Sequence, residues 1–76
     1  MNNSRRKRIN ASISELEDAK VKLENVLSEE QEALSRIPDN DEYDDMRDGM
    51  EEIISGLEDT LSGLEDVLCT LDGADF

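Results

Sequence analysis

The sequence predicts an all-α protein: an antiparallel helical hairpin of two long helices that dimerises into a four-helix bundle. Three observations carry this reading. Two apolar seams of equal length repeat every 3.5 residues. A single short break, holding the only proline, separates them. The second seam is flanked by apolar residues beyond those that one partner helix covers. The chain has 76 residues, which fits one domain over 1–76.

The spacing predicts helix one over about 5–37. Ile9, Ile13, Leu16, Lys20, Leu23, Leu27, Glu30, Leu34 and Ile37 step alternately by four and three. Ser4 is a candidate cap. Ser12 with Glu15 also forms a capping box, but a start there abandons Ile9, so the earlier start is preferred. Pro38 ends the helix, because it lacks a donor and clashes with the preceding turn. A turn is expected over 38–41, with Asp39, Asn40 or Asp41 capping helix two.

Helix two is expected over about 42–72, with a tail at 73–76. Its seam is read as Tyr43, Met46, Met50, Ile53, Leu57, Thr60, Leu64, Val67 and Leu71. Asp44 and Asp45 suit its positive N-terminal end. Gly73 is the expected left-handed C-cap. So short a connection makes the helices antiparallel. Folding about residue 40 sets Leu16 against Leu64, Leu23 against Leu57, Lys20 against Thr60 and Glu30 against Met50.

Ile54, Leu61 and Leu68 recur every seven residues beside this seam and widen the apolar arc to about 100°. Their expected neighbours on helix one, Glu17, Glu24 and Gln31, cover them poorly. The three are therefore expected to stay exposed in a lone hairpin and to form the interface of a homodimer. Gly49, Gly56 and Gly63 repeat with the same period, as do Ser12, Ala19, Val26 and Ala33. Two readings stand for the glycines: close packing between the helices, or the repetition of Ser55–Leu61 as Ser62–Leu68.

Charge narrows the function classes. Asp plus Glu is 21 against 8 Lys plus Arg, a net −13, and residues 39–76 hold fourteen acids with Arg47 as their one base. Nucleic acid as a ligand is disfavoured, since only Arg5, Arg6, Lys7 and Arg8 supply a basic footprint. A membrane partner is not expected, as no apolar run nears the ~20 residues of a span. Arg5–Arg8 lead into a mixed polar helix, unlike a signal peptide. With no His and one Cys, neither a zinc site nor His-based catalysis is available within one chain. The loop from Asp39 fails the calcium-loop pattern, with Tyr43 fifth and Asp44 where glycine is needed. No nucleophile–base pair and no phosphate-cradling loop occurs, so no enzyme, cofactor or metal is expected. Cys69 reads as a small, partly buried residue suited to a reducing cytoplasm.

The main binding candidate is the acidic face: Glu51 and Glu52, Glu58 and Asp59, Glu65 and Asp66. These supply two charges per seven residues, about a third of the charge density of duplex DNA. Arg5–Arg8 either offset the acidic end of helix two at Asp66, Asp72 and Asp75 or contact an acidic partner or nucleic acid.

The run Glu29-Glu30-Gln31-Glu32-Ala33-Leu34-Ser35-Arg36-Ile37-Pro38, followed by Met50-Glu51-Glu52-Ile53-Ile54 and a Leu-Glu-Asp heptad tail, resembles short acidic proteins of prophages and mobile elements in Gram-positive, often gut, bacteria. The likeness covers about residues 5–70 and carries no functional residues across. It implies a context, the bacterial cytoplasm, and by analogy a host or defence protein with a basic surface as partner. Two function classes follow: an acidic inhibitor using the carboxylates, or a structural or assembly coiled coil using the Ile54/Leu61/Leu68 stripe. A small regulator using Arg5–Arg8 on nucleic acid is the third.

Overall fold

The computed structural model describes residues 2–74 and has the expected all-α hairpin architecture. Helix α1 spans Asn3–Ser35, a 3-10 turn spans Asp41–Tyr43, and helix α2 spans Asp44–Gly73. The two helices pack antiparallel along a rod of 60 × 15 × 13 Å.

The caps differ in detail from expectation. Asn2 caps α1, its side chain accepting from the Arg5 N–H at 2.9 Å. Ser4 is thus already helical, and Ser12 lies mid-helix with its hydroxyl on the Arg8 carbonyl, 2.9 Å away. At the other end the Arg36 and Ile37 N–H groups tighten back onto Ala33 and Leu34, so the helix closes two residues before the expected limit. None of Asp39, Asn40 and Asp41 caps α2, whose N-cap is Tyr43 without a side-chain hydrogen bond; Asn40 instead caps the 3-10 turn that precedes it, accepting from the Glu42 N–H at 3.0 Å. Gly73 is no left-handed cap: it is the last residue of α2, and Ala74 follows in extended conformation. No described glycine has a positive φ.

The seam of α1 is the expected one, and all nine positions from Ile9 to Ile37 are half-buried. The seam of α2 is shifted. The inward residues are Tyr43, Arg47, Met50, Ile54, Leu57, Leu61, Leu64, Leu68 and Leu71. Ile54, Leu61 and Leu68 are the buried core, at 9, 7 and 8 % exposure. Met46, Ile53 and Val67, expected inside, are 56, 54 and 49 % exposed. The correction has a physical reason. Both phases alternate three and four, and both share Leu57, Leu64 and Leu71. The true phase adds Leu61 and Leu68, giving an unbroken leucine run from 57 to 71 that buries more area than Thr60 and Val67 would. The stripe expected to meet a second copy is therefore occupied by α1.

The register moves with the phase. Lys20 Nζ lies 3.5 Å from Glu65, not opposite Thr60, so the fold line falls near residues 42 and 43 rather than 40. Thr60 is exposed, with its hydroxyl on the Gly56 carbonyl at 2.8 Å. The glycines are not points of close helix packing within the hairpin. A Cβ placed on Gly49, Gly56 or Gly63 would meet nothing within 4 Å.

Candidate functional site

The acidic face rests on the repeat of α2. With Arg47, Ile54 and Leu61 inward, the acids four and five residues beyond each fall on one flank and on the outer surface. Glu51, Glu52, Glu58, Asp59, Glu65 and Asp66 are all exposed. The helix brings them together as a continuous band along the rod. Among the described residues, Glu65 is the one member of the band with an ion pair, to Lys20.

That pair sits in a shallow groove where α1 and α2 meet. Glu17, Glu24, Glu65 and Asp72 line it together with Lys20 and Leu68. Lys20 is the cation of the α1 seam, its side chain 29 % exposed and paired with Glu65, in a groove that Glu17, Glu24 and Asp72 also line. The pair offsets part of the repulsion between the two acidic helix edges.

The structure places Arg5, Arg6, Lys7 and Arg8 on the first turns of α1, all exposed. No acid stands in that first turn to answer the helix dipole. Arg6 lines a depression with Ile9, Asn10, Ile13, Leu71 and Asp72, so the basic cluster does come beside the acidic end of α2. Asp75, also expected there, lies outside the described residues. Cys69 is exposed rather than partly buried, at the rim of the groove beside Leu68.

Arg47 escaped the sequence reading. It occupies an inward position of α2, donates to the Pro38 carbonyl, and lies 3.3 Å from both Asp39 and Asp44. One side chain thus ties the loop to the first turn of α2. The available signal was its singularity: it is the one base after residue 38, four residues past Tyr43 on the seam.

Among the described residues, no three His, Cys, Asp or Glu side chains converge to hold a metal ion. Among the same residues, no helix is long and apolar enough to cross a membrane. No family model matches the chain, and neither does any curated protein or solved structure. The arrangement leaves the six carboxylates of the band on open surface. It offers a long, hydrated band of negative charge, which attracts a cationic surface at a distance and meets it along a line.

Proposed function

We propose that the chain is a non-enzymatic protein-binding module that presents the carboxylates of α2 to a basic surface. In its most concrete form it is an acidic inhibitor of phage or mobile-element type. It works in the bacterial cytoplasm and occupies the nucleic-acid-binding surface of a host or defence protein. One observation carries the reading: the six exposed carboxylates form a single band on a rigid rod, and five of them have no ion-pair partner among the described residues. The sequence resemblance supports the context. The rival assembly reading, through Ile54, Leu61 and Leu68, loses its surface because those residues are buried.

The test is an affinity pull-down from host lysate at low and high salt, with the native chain and with Glu58, Asp59, Glu65 and Asp66 all reversed to Lys. A basic partner held at low salt, released at high salt and lost by the reversed chain is the expected result. Circular dichroism must show that the reversed chain keeps its helix content. A partner retained equally by the reversed chain rejects the proposal.

A further inference from the structure

The seam shift that buries Ile54, Leu61 and Leu68 leaves another surface bare. Met46, Ile53 and Val67 remain exposed along one flank of α2. The groove shared by Glu17, Glu24, Glu65 and Asp72 fixes the acidic flanks of the two helices on one side. The opposite flanks therefore coincide as well, which puts Val26, 46 % exposed, beside this apolar line. The flank carries no charge on α2 from Met46 to Thr70, in a chain with 38 % charged residues. Its hydroxyls are satisfied internally. Ser12, Thr60 and Thr70 each donate to the carbonyl four residues back in their own helix.

We propose that this flank is the contact with a second copy of the chain, with α2 laid antiparallel against α2. The proposal is independent of the acidic-band reading. The first reason for a self-contact is size. In an antiparallel pair centred on residue 58, Ile53 faces Gly63, Val67 faces Gly49 and Thr60 faces Gly56. Every glycine meets a larger residue, and twofold symmetry makes each such pair occur twice. A parallel pair would set glycine against glycine. The hairpin itself gives the three glycines no purpose, since an added Cβ meets open space, yet each costs about 1 kcal/mol relative to Ala in a helix interior. Close approach by an outside backbone accounts for them.

Charge gives the second reason and selects the same orientation. The open end of the rod, residues 2–13 with 66–74, holds four bases and two acids. The turn end, 29–48, holds nine acids and two bases. Antiparallel copies set the basic end against the acidic end twice over, and parallel copies set like against like. The flank from Met46 to Thr70 runs about 36 Å. Across a rod 15 Å wide, two copies bury on the order of 1,000 Å², the lower limit for a specific contact. The association is accordingly weak. It strengthens with salt, because each copy carries −13 and Glu52, Asp59 and Asp66 border the contact. Binding by the acidic band has the opposite salt dependence, so the two proposals fail separately.

Sedimentation equilibrium of the full chain tests the contact. The expected mass rises reversibly from 8.6 kDa when dilute towards twice that value when concentrated, more so at high salt. Ile53→Glu should abolish the rise. Gly63→Leu should weaken association at least tenfold, while raising the thermal midpoint of the dilute chain through better helix propensity. Orientation is read by cysteine linkage in a Cys69→Ser background: a mixture of Ile53→Cys and Gly63→Cys chains should oxidise to the mixed dimer, because these positions face each other, and Met46→Cys alone should not link. A chain that stays at 8.6 kDa up to millimolar concentration overturns the proposal. So does association that survives Ile53→Glu, or equal linkage through Met46→Cys.

Discussion

Leu61 and Ile53 are both aliphatic residues of α2, yet one is 7 % and the other 54 % exposed. The difference should appear directly in stability. Leu61→Ala removes a buried side chain from a thin core and should cost about 2–3 kcal/mol, a large share of what so small a domain has. Ile53→Ala should change stability by less than about 0.5 kcal/mol when measured on the dilute chain. Urea titrations followed by circular dichroism compare the two, and equal losses would contradict the seam. The sequence held this answer in an easily missed form. Both candidate phases of α2 place eight apolar or Tyr residues on nine positions, so counting leaves them tied. Residue identity breaks the tie, since Leu57, Leu61, Leu64, Leu68 and Leu71 lie on one phase. Arg47 obscured it, because a charged residue at an inward position looks like a mismatch until its partners Pro38, Asp39 and Asp44 are seen.

The elements themselves were plain in the sequence: two long helices and a break at Pro38. Their junction was less so, for a local reason. Pro38 sets where helix one cannot continue, but the closing hydrogen bonds of Arg36 and Ile37 set where it stops. Likewise the cap expected for helix two from Asp39, Asn40 or Asp41 goes to an intervening 3-10 turn, which Asn40 caps, and α2 starts after Tyr43. The fold line shifts by two to three residues with this junction, and the Lys20–Glu65 pair records the shift. Arg47 is the bolt of the junction. Arg47→Ala should lower stability by about 1 kcal/mol, the scale of one charge-assisted hydrogen bond with partly exposed ion pairs. Hydrogen exchange should quicken most between residues 36 and 44. Uniform acceleration along both helices would mean that Arg47 acts through the seam alone and not through the loop.

At the scale of the whole molecule, charge opposes folding. A net −13 on a narrow rod repels itself, and the four carboxylates that line the groove between the helices concentrate that repulsion at their interface. Raising NaCl from about 20 to about 500 mM should therefore raise the thermal midpoint of the dilute chain by several degrees. A midpoint that falls with salt would mean that attractive pairs, such as Lys20–Glu65 and those of Arg47, outweigh the repulsion. The exposure of the six acids was legible in the sequence, because both candidate phases of α2 leave those positions outward. The apolar flank of α2 was not, since it becomes visible only after the neighbouring stripe is seen to be occupied.

The basic cluster and the acidic loop lie at opposite tips of a rod 60 Å long. The backbone dipoles of two antiparallel helices largely cancel, so the separation of side-chain charge alone gives the molecule a lengthwise electric moment. In a field gradient it behaves as a needle. It turns before it arrives, and a positively charged wall always receives the loop tip first.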